Sequence, residues 1–140
     1  MNYTVEQAWE LVLLALCAWR EARDQGRDGM LAVCWAVRNR VMKSGKTWWG
    51  DDWEEVMLKR WQFTSFEKSD PNASILPGDP KTDVAWAGAL WAAEQAYAGV
   101  MNPIGGATHY YNPSVITAPA WVVGATFIKR IGKHSFYEAK

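Results

Sequence analysis

The run Ala8-Trp9-Glu10-Leu11-Val12-Leu13-Leu14-Ala15-Leu16-Cys17-Ala18-Trp19-Arg20-Glu21-Ala22 is apolar on nearly every side of a helix. Thr4-Val5-Glu6-Gln7, just ahead of it, has the form of a capping box, in which the first and last side chains bind each other's backbone N–H groups. A helix without a wide polar face has to be surrounded by other elements. The sequence therefore predicts a central, buried helix over residues 8–22.

Two further long helices are predicted around this one. The polar stretch Asp24–Gly29 carries two glycines and interrupts the first helix, and a second helix is expected from about Met30 to Lys43. The Ala- and Trp-rich segment Val84–Tyr97 has strong helix propensity and stops at Gly99. The first two helices should form a helical hairpin.

The remaining segments are shorter and less regular. The predicted elements are a short surface helix within Trp48–Lys59, a strand or extended loop over Trp61–Phe66, an exposed loop over 69–83 ending in a capping Thr82 or Asp83, and strands over Thr108–Tyr111 and Ile131–Tyr137 with a turn at Asn112-Pro113. The fold class is therefore α+β and predominantly helical, with a small irregular β part in the C-terminal third.

Composition narrows the possible functions. The chain has 140 residues, which fits one domain over residues 1–140. Fifteen basic residues balance fifteen acidic ones, so no large positive field draws nucleic acid or anionic lipid. The longest apolar run is too short to span a bilayer. Two cysteines, Cys17 and Cys34, are too few for a disulfide framework, and both are interpreted as buried apolar thiols.

Glu21 is the first candidate for chemistry. It falls in the last turn of the buried helix, on the stripe through Leu14, Cys17 and Ala18. The negative end of the helix dipole and the apolar neighbours should favour its protonated form, which a general acid needs. Arg20 and Arg23 act in the opposite sense, and a Glu paired with Arg at a frayed helix end is an equal alternative on these arguments.

Several motifs occur in the order of one known family. They are Trp19-Arg20-Glu21-Ala22-Arg23 followed by Gly29 and by Val33 through Asn39-Arg40-Val41, then Gln62-Phe63-Thr64, Gly106-Ala107 with Tyr110-Tyr111-Asn112-Pro113, Pro119 with Trp121, and Ile131-Gly132-Lys133-His134 with Phe136-Tyr137. Together they resemble the SleB/CwlJ-type cell wall hydrolases, the spore-cortex-lytic family with many phage members. The resemblance spans residues 15–137. Asp24-Gln25 departs from the Gly-Glu that often follows the E-A-R element.

The resemblance implies a lysozyme-like fold related to lytic transglycosylases, with Glu21 as general acid and base. Its substrate would be the MurNAc–GlcNAc bond of peptidoglycan, cleaved to 1,6-anhydromuramyl products without a cofactor. Asp24 and Asp28 are the nearest candidates for the second carboxylate of a hydrolytic lysozyme, but neither matches a family catalytic position. Three alternatives remain open: a hydrolytic lysozyme, an N-acetylmuramoyl-L-alanine amidase, and a non-catalytic peptidoglycan-binding module.

The expected substrate contacts come from two segments. Gln62, Phe63, Thr64, Tyr110 and Tyr111 are candidates to hold sugar hydroxyl and acetamido groups, with ordinary packing as the alternative.

Ten tryptophans suggest that some indole surface meets a ligand. Trp48, Trp49, Trp53 and Trp61 are divided between a saccharide groove and the core, whereas Trp9, Trp35, Trp86 and Trp91 are predicted in the core. His109 and His134 are interpreted as structural, since two histidines make a poor zinc site and no H-E-x-x-H helix is present.

The N-terminus lacks the basic start of a secretory signal, since Arg20 is the first basic residue. We therefore expect synthesis in the cytoplasm without a signal peptide and action on the cell wall. A phage-type lysin would reach the wall through a holin-type partner. The expected partner is the peptidoglycan glycan strand, bound by a monomer that is neither a membrane-spanning nor a nucleic-acid-binding protein.

Overall fold

The structure, a computed structural model, describes residues 2–43, 49–58 and 75–139. It contains helices α1 (Val5–Ala22), α2 (Gly26–Met42), α3 (Trp53–Leu58) and α4 (Val84–Ala98), and strands β1 (His109–Tyr111), β2 (Thr126–Ile131) and β3 (His134–Glu138). The long helices α1, α2 and α4 pack against one another around the core, and the strands form an antiparallel sheet in the order β1-β3-β2. The α+β, mainly helical fold class predicted from the sequence is confirmed.

Helix α1 is the central helix that its apolar run predicts. The capping box is present: the Thr4 hydroxyl accepts from the Gln7 backbone N–H at 3.1 Å, and the Gln7 side chain accepts from the Thr4 N–H at 3.0 Å. The C-terminal part is enclosed, with Leu14 and Cys17 fully buried. The prediction that Trp9 lies in the core is wrong. Trp9 is 52% exposed because it shares the outer face of α1 with the exposed Val5 and Val12, four residues before it and three after.

The corner between α1 and α2 is tighter than the sequence predicts. A single 3-10 turn, Arg23–Gln25, separates the helices, and α2 begins at Gly26 rather than near Met30. Gly26 has φ +71°, a backbone conformation that residues with a side chain adopt only at an energetic cost. Gly29 does not interrupt a helix but lies buried within α2. Because it has no side chain, it leaves room for the Gln25 side chain.

The two later helices match their predicted positions. Asp83 is the cap of α4, accepting from the Trp86 N–H at 2.9 Å, and Gly99 ends the helix in the left-handed conformation. Helix α3 lies within its predicted range and is a surface helix with one buried face, since Glu54, Glu55 and Leu58 are exposed. Trp53, Val56 and Met57 are all buried because their spacing of three and four places them on one face.

The predicted strand Ile131–Tyr137 is in fact a hairpin. It is divided by a two-residue turn, Gly132-Lys133, so that β2 ends at Ile131 and β3 begins at His134. Gly132 has φ +58°, which allows this turn. Most of β2 was not predicted, because its residues are almost all exposed and show no alternation of apolar and polar positions.

Two side chains at the end of α2 hold the chain that leads into β1. The Asn39 amide donates to the Gly105 and Ala107 carbonyls, both at 2.8 Å, and Arg40 Nε donates to the Thr108 carbonyl at 2.6 Å. Asn39 is therefore a structural hydrogen-bonding residue that ties the end of α2 to this segment.

Both cysteines are buried free thiols, as predicted. Burial raises the pKa of Cys17 and of Cys34 well above the usual value, which makes the reactive thiolate scarce. Across residues 2–43, 49–58 and 75–139, no helix combines the length and the apolar character needed to cross a bilayer.

Replacing Asn39 by Ala should lower the free energy of unfolding by about 1 to 3 kcal/mol, because the Ala107 carbonyl loses this donor and the Gly105 carbonyl keeps only the Asn102 amide. Urea denaturation followed by circular dichroism measures the change. Asn2→Ala, at an exposed position ahead of α1, is the matched control and should unfold like the wild type. Equal stability of Asn39→Ala and wild type would contradict this anchoring role.

Candidate active site

A cleft of about 460 Å³ opens where the end of α1 meets the sheet. Its described lining combines one carboxylate, one cation and several aromatic rings: Glu21, Arg40, Tyr110, Tyr111, Asn112, Val115, Ile116, Pro119, Trp121 and His134. The last turn of α1 supplies Glu21, α2 supplies Arg40, and β1 with the segment after it supplies most of the rest. The cleft therefore brings Glu21, Tyr110 and Tyr111 together, three of the residues predicted for the site.

Glu21 is the only carboxylate among the described residues of this lining. It is partly buried and lies one helical turn after the fully buried Cys17 and Ala18. Asp24, considered for a second carboxylate, lies outside the cleft and pairs with Lys133 at 3.0 Å. That hydrogen bond lowers the pKa of Asp24, so its carboxylate is ionised and engaged elsewhere.

Arg40 is a buried cation beside Glu21 in the cleft. It is only 5% exposed, and burial lowers its pKa to about 10, while the neighbouring Tyr110, Cys17 and Glu21 act in the opposite sense. Arg40 therefore keeps its charge at neutral pH. The Trp49 ring lies 5.7 Å from its guanidinium carbon, and the Trp49 indole N–H donates to the Arg40 carbonyl at 3.0 Å.

Tyr110, on β1, lines the same cleft as Glu21 and Arg40. Burial raises its pKa well above the usual value, and the charge of Glu21 raises it further. Its hydroxyl is therefore protonated at neutral pH, the form that can donate a hydrogen bond. Asn112 begins the turn predicted at Asn112-Pro113, where its side chain accepts from the Ser114 N–H at 3.0 Å.

The two histidines are packed among aromatic rings. His109 lies between Trp49 and Trp121, with ring centroids 5.7 and 4.9 Å away, and the His134 ring meets Tyr110 edge-on at 4.8 Å. Burial lowers the pKa of both, that of His109 to about 3, so both are neutral near pH 7. Within the described ranges, no three His, Cys, Asp or Glu side chains are grouped so as to hold a metal ion.

Other predicted contacts have different outcomes. Gln62, Phe63 and Thr64, together with Trp48 and Trp61, lie outside the described residues. Trp35, Trp49 and Trp53 are buried in the core, and Trp86 and Trp91 are partly buried against it.

Five lining residues were quoted in the family motifs without being given a role in the site: Arg40, Asn112, Pro119, Trp121 and His134. The signal that could have marked Arg40 is its spacing, since it follows Val33 and Val37 on the buried face of α2, where a charged residue is unusual.

Comparison with known proteins agrees with this arrangement. The catalytic domain of SleB from Bacillus anthracis, described as a germination-specific lytic transglycosylase, matches with a TM-score of 0.72 and 25% identity over 97% of each chain. The catalytic domain of SleB from Bacillus cereus matches with a TM-score of 0.73 and 26% identity, over 97% of this chain and 92% of that one. The fold is therefore lysozyme-like, as the resemblance implied.

The family follows from the sequence match. The model of the Cell Wall Hydrolase family matches residues 24–137, so the chain belongs to that family. Spore cortex-lytic enzymes of Halalkalibacterium halodurans and Bacillus subtilis are 28% and 27% identical over 91% and 92% of this chain. The chain spans only about a third of the length of these two relatives, 34% and 37%.

The buried neutral state of His109 predicts a pH-dependent stability. The unfolded chain takes up a proton at this histidine near pH 6.5, whereas the folded protein does so only near pH 3. The free energy of unfolding should therefore fall as the pH drops through this window. In His109→Asn, the loss between about pH 7 and pH 5 should be about 1 to 2 kcal/mol smaller than in the wild type.

Urea denaturation at the two pH values measures this difference. Val37→Ala removes part of a buried apolar side chain and titrates no group, so it should lower stability while keeping the wild-type pH dependence. An unchanged pH dependence in His109→Asn would show that this histidine does not contribute.

Proposed function

We propose that this chain is the catalytic domain of a peptidoglycan lytic transglycosylase that cleaves the bond between MurNAc and GlcNAc, with Glu21 as both acid and base. The observation that carries the proposal is a cleft whose described lining offers one carboxylate beside one buried cation. A hydrolytic glycosidase commonly uses two carboxylates, whereas intramolecular transfer can proceed with one acid that becomes the base. The SleB domain described as a lytic transglycosylase supports this assignment.

The first step transfers a proton from Glu21 to the glycosidic oxygen. The bond between that oxygen and C1 of MurNAc breaks, and the GlcNAc leaves with a free 4-hydroxyl group. Positive charge develops at C1, and Glu21 is now a carboxylate. Because Arg40 is a buried cation in the same cleft, it stabilises the carboxylate that this step creates.

The second step closes a ring within the MurNAc. Its C6 hydroxyl attacks C1 while the Glu21 carboxylate takes the hydroxyl proton, which restores the acid and gives the 1,6-anhydro product without consuming water. The apolar end of α1 and its dipole favour the protonated acid, and Arg40 favours the carboxylate.

Tyr110 and Tyr111 are proposed to position the substrate. The protonated Tyr110 hydroxyl can donate to a sugar oxygen next to Glu21, and the Tyr111 ring forms one wall of the cleft. We also propose substrate contact for Gln62, Phe63 and Thr64 on the family resemblance alone.

The proposed place of action is the bacterial cell wall or spore cortex, because both curated relatives are named spore cortex-lytic enzymes. A phage origin, an endolysin role, release through a holin-type partner and a monomeric state stay predictions from the sequence. The same is true of synthesis without a signal peptide.

Replacing Glu21 by Gln keeps the shape of the side chain but removes its proton transfer. We expect kcat/KM on purified peptidoglycan to fall about a hundred- to ten-thousandfold, the range typical for loss of a general acid or base. Glu6→Gln, at an exposed position near the other end of α1, is the matched control and should keep full activity. Full activity in Glu21→Gln would remove Glu21 from the mechanism.

The product distinguishes the possible reactions. Mass analysis of the fragments released by the wild type should show anhydromuramyl ends, because C1 of the MurNAc forms its new bond to the C6 oxygen of the same sugar. Reducing ends alone would identify a hydrolytic lysozyme instead, and newly exposed alanine amines would identify an amidase. Binding to insoluble peptidoglycan with no product at all would leave a binding module.

A further inference from the structure

The face of the sheet that carries Tyr111 continues away from the cleft to the edge strand β2. Residues that oppose each other across an antiparallel sheet point to the same face. The register places two rows on this face: His109, Tyr137 and Phe127 in one, and Tyr111, Ser135 and Arg130 in the other. Tyr110 and Phe136 belong to the opposite face, where Phe136 is fully buried in the core.

Four aromatic rings in contact with one another run across this outer face. The Tyr111 and Tyr137 rings are stacked, with centroids 5.9 Å apart and planes 22° from parallel. Phe127 meets Tyr137 edge-on at 5.4 Å, and Trp121 meets it edge-on at 5.5 Å. We call these four rings, Tyr111, Trp121, Tyr137 and Phe127, the aromatic platform. Tyr111 and Trp121 also line the cleft, so the platform begins inside the site.

The outer end of the platform is open to solvent. Phe127 is 55% exposed, and every β2 residue before Ile131 is exposed. An edge strand with this exposure gains little stability from a large aromatic side chain, and exposed apolar surface that continues a groove is a feature of ligand sites. Arg130, in the same row as Tyr111 but two strands away on β2, adds an exposed cation to this end of the face.

We propose that the aromatic platform extends the substrate cleft and binds the glycan strand at sugars remote from the cleaved bond. The inference rests on the proposed function, because it takes peptidoglycan as the substrate. A linear polysaccharide that occupies the cleft continues beyond it, and the C–H faces of its sugar rings pack on aromatic rings. Phe127 and Tyr137 would hold such a ring, and Arg130 would meet a carboxylate of the stem peptide.

The proposal predicts a preference for long strands. A short fragment that fills only the cleft would not reach Phe127, whereas a long strand would contact the whole platform. Phe127→Ala should therefore lower the ratio of kcat/KM on long strands to kcat/KM on a short soluble fragment by about three- to tenfold, the range of a single aromatic contact. Phe127→Trp, which keeps an aromatic ring, should restore the ratio.

Binding is measured separately from catalysis in the Glu21→Gln background. There, Phe127→Ala should weaken retention on insoluble peptidoglycan by about three- to tenfold. Trp9→Ala is the matched control, because Trp9 is also about half exposed but lies on the outer face of α1. It should change neither the ratio nor the retention. Circular dichroism and thermal unfolding check that each variant is folded.

A separate arm tests the charged contact. Arg130→Gln should weaken retention on peptide-bearing strands and have a smaller effect on strands whose peptides have been removed. An equal effect on both would overturn the carboxylate contact.

The outcomes separate this inference from the proposed function. If the wild type releases anhydromuramyl products but Phe127→Ala keeps the wild-type ratio and retention, the platform is not a binding surface and the proposed function stands. The inference is also overturned if Trp9→Ala has the same effect as Phe127→Ala. If Glu21→Gln protein is not retained on peptidoglycan and the wild type releases no product, both proposals fail.

Discussion

Three hydrogen bonds between the end of α2 and the segment before β1 determine where the cleft lies. Asn39 holds the Gly105 and Ala107 carbonyls, and Arg40 holds the Thr108 carbonyl. This segment is irregular, so its carbonyl groups have few backbone partners and depend on side chains for donors. Because β1 follows directly, these bonds fix the two tyrosines of β1 opposite the end of α1.

A second connection holds the other end of the sheet. The Gln25 side chain accepts from the Lys133 N–H at 2.9 Å, in the turn between β2 and β3. The nearby Asp24–Lys133 ion pair is more than half exposed on both sides and contributes little, so the hydrogen bond to the backbone sets the geometry. Gly132 is needed here for its positive φ and because a Cβ would lie 2.6 Å from the Gln25 oxygen. The corner that follows Glu21 is thus attached to the hairpin that carries His134.

Arg40 links stability to the proposed chemistry. Burying a guanidinium group is costly, and here the charge is compensated by a backbone carbonyl, an aromatic ring and the neighbouring Glu21. The same charge acts on the group proposed to transfer the proton. One residue therefore fixes the position of β1 and stabilises the ionised form of Glu21, and the sheet that it positions carries the aromatic surface leading away from the cleft.

The sequence by itself determined helices α1 and α4, their caps and the enclosure of the C-terminal part of α1, because these depend on neighbours three or four residues away. Its motifs also pointed to Glu21, Tyr110 and Tyr111, which the structure brings to one cleft. It did not determine the hairpin or the exposure of Trp9 and Phe127, nor the place of Arg40 beside Glu21. These depend on which surfaces meet after folding and on hydrogen bonds between distant segments. The spacing of apolar residues within one segment gives no information about either. Tertiary packing alone decided them.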